Sequence, residues 1–228
     1  MSYLTVQYNK HSRPKTDYPK YFIDYLIKTY KISKNSKVLE LGCGRCDFMI
    51  EFKKRNFDIC GLDNEIYEDQ HTKNLNVKKV NFESDKLPFP DEHFDFIYHK
   101  SLIEHINDYD FFLSEQKRVL KKDGTIICLT PHWPNQSKTF YDDPTHIKPY
   151  TEKGIKLLLN FYDFKNIKVC KFIQLPYIWN TKYLLTEVLY LFSFIFSYRI
   201  GRLITKITKI NFFRFAFEFM IIASAKKK

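Results

Sequence analysis

A short apolar segment followed by two closely spaced glycines constrains the fold of this chain more than any other feature. Residues 37–41 (KVLEL) predict a buried strand, Gly42 and Gly44 follow, and residues 47–55 have helical spacing. Glycine permits a positive φ and lets a ligand approach the backbone closely, because it has no Cβ. In open α/β sheets, a turn between a strand and a helix places a ligand at the carboxyl end of the strand. The sequence therefore predicts a ligand site at this turn.

Strands and helices alternate along much of the chain. The other predicted strands are 58–62, 77–82, 94–98, 124–130, 167–173 and 215–224. The predicted helices are 18–30, 47–55, 108–120, one that begins near Thr151, and 182–211. This alternation favours right-handed crossovers and a parallel sheet. We predict an α/β fold with a mostly parallel seven-stranded sheet, helices on both faces and a helical insertion before the last strand. We expect the helix at 18–30 to pack across an edge of the sheet.

Two acidic residues accompany the glycine turn. Glu40 precedes it, and Asp63 closes the next predicted strand, where a carboxylate can bind both hydroxyls of a ribose. A nicotinamide dinucleotide site has the same two features. This chain, however, lacks the last glycine of the dinucleotide pattern, and Glu40 suits a cofactor with an ammonium group better than a pyrophosphate. These residues favour a nucleoside cofactor that carries an ammonium group over a dinucleotide.

Four motifs extend this pattern over residues 36–131: VLELGCGRCDF, GLD, LPFPDEHFDFIYHKSLIEHI and RVLKKDGTIICLTP. In this order and spacing they resemble class I methyltransferases of the UbiE/UbiG-like group, which depend on S-adenosylmethionine (SAM). The resemblance implies a Rossmann-like class I methyltransferase fold. It also implies SAM as the cofactor and residues 36–131 as the SAM-binding core. From the length of 228 residues we expect one domain over residues 1–228.

The resemblance assigns a part of the cofactor to each of several residues. The amino-acid part of SAM is assigned to Glu40, Gly42, Cys43 and Gly44. Its ribose is assigned to Asp63, and its adenosine side to Asn64. Adenine is read in this group after the third strand, where this chain has Asn81, Phe82 and Glu83, and the sequence leaves open which of the three reads it. His99 and Lys100, expected just after the fourth strand, are predicted to line the methyl-donor side.

Methyl transfer is an in-line displacement from a sulfonium, so the protein must align the acceptor and exclude water. A hydroxyl acceptor also needs a base. We predict His146 as that base, with His105 as the second candidate. The loop 132–150 is predicted to form the substrate pocket, through His132, Trp133, Tyr141, Asp143 and Tyr150.

The acceptor is inferred from one further resemblance. The run DPTHIKPYT resembles a segment of methyltransferases from bacterial polysaccharide and O-antigen clusters, which implies a sugar or glycan hydroxyl. Two alternatives stay open. One is another small molecule or lipid, such as a quinol-type phenol, and the other is a SAM-binding module without catalysis.

Glu104 has two readings besides catalysis. It can cap or brace the cofactor loop, or it can join His105, His132 and His146 as a metal ligand. The second reading is similar to small-RNA terminal-ribose methyltransferases, which use an EH pair and a later histidine. Those proteins carry another Glu three residues before the EH pair, where this chain has Ser101. We therefore predict a site without metal and keep a metal ion as the minor alternative.

Charge and apolar patterning concern the partners of the chain. Lys and Arg outnumber Asp and Glu by 37 to 26, but no nucleic-acid recognition motif accompanies the excess, and we predict no nucleic acid partner. Residues 199–211 form a basic amphipathic pattern, whereas the apolar run 188–198 is too short to span a bilayer. Residues 188–211 either pack on the domain or contact a membrane surface.

The cysteine count and the first residues indicate the compartment. Five cysteines are an odd number, and no secretory apolar region follows Met1, so we expect a cytoplasmic protein, with peripheral membrane contact as an option. The sequence does not determine the oligomeric state.

Overall fold

A computed structural model describes residues 15–67, 72–179, 187–191, 198–208 and 218–228. By its internal contacts the chain divides into two compact units. Unit 1 takes its described residues from Met1–Lys100, Asp108–Ile126 and Lys226–Lys228, and unit 2 from Ser101–Asn107 and Ile127–Ala225. The single domain expected over the whole chain stays a prediction.

The elements follow the predicted alternation. The strands are β1 Lys37–Leu41, β2 Asp58–Asp63, β3 Asn76–Lys79, β4 Phe94–Lys100, β5 Leu120–Pro131, β6 Phe164–Ile173 and β7 Phe219–Lys227. The α-helices are α1 Tyr18–Tyr30, α2 Asp47–Lys54, α3 Tyr109–Val119, α4 Trp133–Gln136, α5 Glu152–Phe161 and α6 Tyr198–Thr208. Short 3₁₀ turns cover Ile103–His105, Phe140–Asp142 and Pro176–Ile178.

The seven strands form one sheet in the order β3-β2-β1-β4-β5-β7-β6. β1 pairs in parallel with both β2 and β4, and β2 pairs in parallel with β3. The direction of strand addition reverses between β1 and β4, and ligands of open α/β sheets bind at such a reversal. The predicted fold class is confirmed, with a seven-stranded, mostly parallel sheet.

Several strand boundaries differ from the predicted ones; for example, β6 begins at Phe164 instead of residue 167, and β7 runs on to Lys227 instead of residue 224. β3 ends at Lys79 instead of residue 82, because an Asx-type turn follows in which the Asn81 side chain accepts from the Glu83 N–H at 3.0 Å. β4 runs on to Lys100, so His99 and Lys100 lie within the strand instead of after it. β5 begins at Leu120, because the predicted helix stop at 121–124 pairs as strand, with Asp123 at a φ of 60°.

Helix α1 packs against a central strand, so the expectation of a sheet edge was wrong. The Phe22 ring lies 5.9 Å from the Tyr98 ring of β4 and meets the Phe48 ring of α2 edge-on at 5.6 Å. Phe22 and Tyr98 are both fully buried. Burial of these aromatic side chains removes apolar area from water. At about 25 cal/mol per Å², this stabilises the packing of α1 on β4 by a few kcal/mol.

Helix α5 begins where the sequence predicts. The Thr151 hydroxyl accepts from the Gly154 N–H at 3.1 Å, so Thr151 caps the helix in the usual way. Ile155 and Leu159, four residues apart on the same face of the helix, are buried.

The helical insertion expected at 182–211 is described in part. Residues 187–191 are helical, and α6 covers Tyr198–Thr208. The basic side chains of the predicted amphipathic face, Arg199, Arg202, Lys206 and Lys209, lie outside the described residues. Among the described residues, no helix is long and apolar enough to cross a membrane.

His99 lies on the opposite face of β4 from its neighbour Tyr98 and is buried there. Its neighbour Tyr98 is paired in register with Glu40, whereas His99 is paired with Leu41, and successive side chains of a strand point to opposite faces. The His99 ring is fully buried and meets the Phe112 ring of α3 edge-on at 5.5 Å. Neither ring nitrogen has a hydrogen-bond partner among the described residues. Burial lowers the pKa of His99 to about 3, so the imidazole is neutral in the folded protein.

A buried neutral histidine makes stability depend on pH. Because its pKa falls from 6.5 to about 3 on folding, only the unfolded chain takes up the proton between these values, and the free energy of unfolding falls as pH drops below 6.5. We expect the wild type to lose up to about 1.4 kcal/mol per pH unit in this window, relative to His99→Leu. Urea unfolding of both proteins at pH 7.0 and 5.5 measures this difference. Equal losses in the two proteins would show that His99 is not the group responsible.

Candidate functional site

The turn after β1 is closed by backbone hydrogen bonds to β2. The N–H groups of Gly42 and Cys43 both donate to the Leu62 carbonyl, at 2.8 and 3.2 Å. Gly42 and Gly44 take φ values of 68° and 49°, in the left-handed region that favours glycine. Cys46 also has a positive φ, 62°, as the residue before α2. Cys46 therefore adopts the backbone conformation of a third glycine and carries a small side chain there.

Asp63 is tied to this turn by its carboxylate. Its Oδ2 accepts from the Gly44 N–H at 2.7 Å, and its Oδ1 accepts from the Glu65 N–H at 3.2 Å. Burial raises the pKa of Asp63, and the backbone hydrogen bonds oppose that rise. A carboxylate oxygen has further lone pairs, so Asp63 can still accept from ribose hydroxyls. The side chain thus lies at the carboxyl end of β2, in the place predicted for a ribose-binding acid.

Glu40 is a carboxylate inside the sheet. Its side chain is only 3% exposed, and its Oε2 has no hydrogen-bond partner among the described residues. Burial raises the pKa of Glu40 well above its usual value, and the nearby Cys46, Asp47 and Asp63 raise it further. Arg45 does not neutralise this region, because its guanidinium pairs with Asp47 at 2.6 Å. A buried carboxylate oxygen without a donor fits a ligand that carries an ammonium group.

The other residues predicted to bind the cofactor differ in exposure. Asn64, Asn81 and Glu83 are exposed, and Lys100 is half-buried, with its ammonium 6.0 Å from the centre of the Tyr18 ring. Phe82 is 2% exposed and packs edge-on against Phe112.

Gly61 of β2 is a residue that our sequence reasoning passed over, although it opens the GLD motif. A Cβ at this position would meet the Cys43 sulfur at 3.0 Å and would clash with the Met49 sulfur. Cys43 is buried, and its Sγ lies 4.0 Å from that of Cys46. The hydrogen bond from Cys46, together with burial, raises the pKa of the Cys43 thiol. Gly61 therefore leaves room for the two thiols that fill the space beneath the turn.

Unit 2 brings the two predicted bases together. The rings of His105 and His146 lie 4.7 Å apart between centroids, and both side chains are half-buried. The loop is fastened to the 3₁₀ turn by the Glu104 carbonyl, which accepts from the N–H groups of Ile147 and Lys148 at 2.8 and 3.1 Å. These backbone bonds join segments some forty residues apart and set the distance between the two histidines.

Hydrogen bonds orient both rings. The His146 Nδ1 lies 2.6 Å from the Phe140 carbonyl, and the His105 Nδ1 lies 3.1 Å from the Thr145 carbonyl. A carbonyl oxygen only accepts, so each Nδ1 carries the proton and each Nε2 carries the lone pair. The Thr145 hydroxyl donates to Asp143 Oδ1 at 2.6 Å and lies 2.9 Å from the His105 Nδ1. Asp143 therefore helps to orient the His105 ring, because it holds the Thr145 hydroxyl that contacts the His105 Nδ1.

The remaining loop residues separate into exposed and buried ones. Tyr141 is 58% exposed and meets the half-buried Trp133 edge-on at 6.0 Å. Tyr150 is buried, and its carbonyl accepts from the Trp133 N–H at 3.0 Å. His132 is 1% exposed, and its Nε2 lies 2.9 Å from a Glu152 carboxylate oxygen. Burial lowers the pKa of His132, and Glu152 opposes this.

The likeness to known proteins agrees with this geometry. A family model described as a methyltransferase domain matches residues 14–169, more than half of the chain. The chain belongs to this methyltransferase family. A demethylmenaquinone methyltransferase of Staphylococcus carnosus is 32% identical over 117 residues, which cover 48% of each chain. A ubiquinone biosynthesis O-methyltransferase of Pelagibacter ubique is 29% identical over 128 residues, covering 49% of this chain and 51% of that one. This methyltransferase thus spans about half the length of these curated relatives.

Solved structures match over nearly the whole chain. A SAM-dependent methyltransferase from Archaeoglobus fulgidus has a TM-score of 0.64 at 21% identity, covering 99% of this chain and 100% of that one. A possible histamine N-methyltransferase from Thermotoga maritima has a TM-score of 0.60 at 16% identity and covers both chains completely. At these identities the likeness establishes the fold. SAM is the cofactor expected for the family, and Glu40 and Asp63 fit its ammonium and ribose groups.

The carboxylate at the end of β2 is open to a binding test. Asp63→Ala removes charged hydrogen bonds to the ribose, each worth about 1.5–3 kcal/mol, and we expect SAM affinity to fall at least tenfold. Asp58, an exposed carboxylate at the start of the same strand, supplies the matched control Asp58→Ala. Calorimetry with SAM and its demethylated product measures all three proteins. Equal affinity in a folded Asp63→Ala variant would place the ribose elsewhere.

Proposed function

We propose that this protein is a SAM-dependent O-methyltransferase that methylates a hydroxyl group. SAM supplies an electrophilic methyl group on its sulfonium. Within unit 1, Glu40 and Asp63 hold the cofactor. The observation that carries the oxygen acceptor is the oriented pair His105 and His146 in unit 2, because a hydroxyl acceptor needs a group that takes its proton or lowers its pKa.

His146 is the predicted base, and its contacts support that role. The Phe140 carbonyl holds the proton on Nδ1, which leaves a lone pair on Nε2 to accept a proton from the acceptor hydroxyl. Imidazole changes charge near neutral pH and therefore suits general-base catalysis. His105 lies beside it, and the chain from Asp143 through Thr145 orients the His105 ring.

The acceptor class is inferred from the names of the relatives and from the chemistry of the hydroxyl group. The sugar or glycan hydroxyl inferred from the DPTHIKPYT run has no support from the relatives. One relative is named a demethylmenaquinone methyltransferase and the other a ubiquinone biosynthesis O-methyltransferase, so both names favour a quinol-type acceptor for this chain and the second also favours oxygen as the methylated atom. A phenol also loses its proton more readily than an aliphatic hydroxyl, so a histidine pair suffices more easily for it. We therefore place a phenolic hydroxyl first and a sugar hydroxyl second.

Loss of His146 should reduce turnover and leave SAM binding intact. A positioned general base contributes about 10²–10⁴-fold, and we expect His146→Ala to lower the rate of methyl transfer by such a factor. The measurement is formation of the demethylated cofactor, with mass spectrometry of the product, on a panel of hydroquinones, catechols and sugar nucleotides. SAM affinity by calorimetry reports separately on unit 1.

His105→Ala and His93→Ala serve as the comparison variants. His93 stacks on Phe89 in unit 1 and has no role in the proposed reaction, so His93→Ala is the control. If His105→Ala is inactive while His146→Ala turns over normally, the base is His105. Full activity in both variants would remove the support for an oxygen acceptor. A protein that binds SAM and methylates none of the panel would favour a SAM-binding module.

We further propose that α6 touches the surface of an anionic membrane from the cytoplasmic side. Leu203 and Ile207 are 57% and 73% exposed and, four residues apart, lie on one face of the helix. Arg199, Arg202, Lys206 and Lys209 in the same segment supply positive charge. A helix with this composition binds at the interface between headgroups and acyl chains.

Liposome sedimentation tests the membrane contact. Each basic residue near an anionic surface adds about 1 kcal/mol, so reversing Arg199, Arg202, Lys206 and Lys209 to Glu should abolish binding to anionic vesicles. Lys153→Glu with Lys156→Glu, two exposed positions on α5, is the control for net charge. Equal sedimentation of the wild type and the α6 variant would favour plain packing of this segment.

A further inference from the structure

We propose that Glu104, His105 and His146 bind one divalent metal ion of the zinc class. The sequence favours a site without metal, whereas the geometry of unit 2 favours a metal ion. One ligand atom from each of the three residues lies within 4.8 Å of the other two. A tetrahedral ion with bonds of about 2.0–2.2 Å holds its ligand atoms about 3.4 Å apart, so small side-chain rotations close the site.

The histidine tautomers are those of metal ligands. Metal-binding histidines as a rule donate one ring N–H to a carbonyl or carboxylate and bind the ion through the other nitrogen. Both rings follow this pattern, with Nδ1–H directed to the carbonyls of Phe140 and Thr145. The Nε2 lone pairs of His105 and His146 are thus the ligand atoms.

Glu104 supplies the third ligand from a fixed position. Its side chain is fully buried, and its Oε2 accepts from the Thr130 hydroxyl at 3.0 Å. Its own carbonyl accepts from Ile147 and Lys148, so the residue that offers the carboxylate also anchors the loop that brings His146. His132 joins Glu152 instead, at 2.9 Å, and we leave it out of the ligand set.

The donor set selects the kind of ion. Two imidazoles and one carboxylate suit zinc and neighbouring transition metals, whereas magnesium and calcium favour oxygen ligands with few or no nitrogens. Three protein ligands leave a fourth position open for water or for another oxygen. We therefore expect Zn²⁺ to bind much more tightly than Mg²⁺.

The inference deepens the proposed function and rests on it only for the role of the ion. An ion held by Glu104, His105 and His146 would lower the pKa of an acceptor hydroxyl, so that solvent could take the proton. The Nε2 of His146 would then hold the ion, and the direct general-base role of the proposed function would apply to the metal-free protein. The metal site itself is testable without an acceptor or SAM.

Cobalt is a suitable probe, because its absorption distinguishes nitrogen and oxygen ligands from thiolates. Metal-free wild type, prepared with a chelator, is titrated with Co²⁺ and Zn²⁺ and followed by absorption and equilibrium dialysis. We expect one equivalent bound, with visible bands of a four- or five-coordinate ion and no intense near-ultraviolet thiolate band. The thiolate test matters because Cys43 and Cys46 lie close together.

Four variants locate the site. We expect His146→Ala and Glu104→Gln, which keeps an oxygen for the Thr130 hydroxyl, to lose at least a hundredfold in Zn²⁺ affinity. Thr145→Val, which removes an outer contact of His105, should lose about 10–100-fold. His93→Ala should bind as the wild type does. The Zn²⁺ affinity should also decrease as the pH is lowered, because protons then compete with the ion for the imidazole nitrogens.

Two results would overturn the metal site. One is the absence of stoichiometric binding in folded wild type, and the other is equal affinity in the wild type, His146→Ala and Glu104→Gln. Methyl transfer that continues in protein freed of metal would remove the catalytic role and leave the proposed O-methyltransferase standing. Metal binding in a protein that transfers no methyl group would support the metal site and contradict the proposed O-methyltransferase activity.

Discussion

The parallel pairing of β1 with β2 on one side and β4 on the other is the constraint on which the cofactor site depends. Parallel strands end at the same edge, so Leu41 lies in register with Leu62 and His99. The turn that follows must leave the sheet sharply, because the N–H groups of Gly42 and Cys43 both bind the Leu62 carbonyl. Left-handed φ values at Gly42, Gly44 and Cys46 meet that demand.

This geometry has an electrostatic cost that makes the site specific. It buries Glu40 and brings it near Asp63, which raises the pKa of Glu40. A cationic ligand offsets the cost, because an ammonium group favours the ionised carboxylate. An anionic ligand adds to it. The burial of Glu40 therefore makes the turn better suited to a cofactor with an ammonium group than to a dinucleotide pyrophosphate.

In unit 2 a short 3₁₀ turn and a loop position the side chains of the second candidate site. The Glu104 carbonyl joins the loop to the turn, and separate carbonyls fix the rings of His105 and His146. Loop residues held in this way lose little conformational entropy on binding a ligand, which is the advantage of a preorganised site. The same contacts suit a general base and a metal ion, because both roles use the lone pair on Nε2.

The sequence by itself determined the alternation of strands and helices, the glycine turn and the acid after β2, since these depend on local periodicity and on backbone conformations open to glycine. The cap at Thr151 and the bounds of α1 were likewise local. Tertiary structure decided the rest. It placed α1 on the central strand β4 and His99 on the face away from Glu40, because register determines which face a side chain meets. It paired His132 with Glu152 and brought His105 to His146, contacts between residues twenty to forty positions apart. Sequence spacing carries no information on such contacts, since loop closure between distant residues is set by the packing of the whole unit.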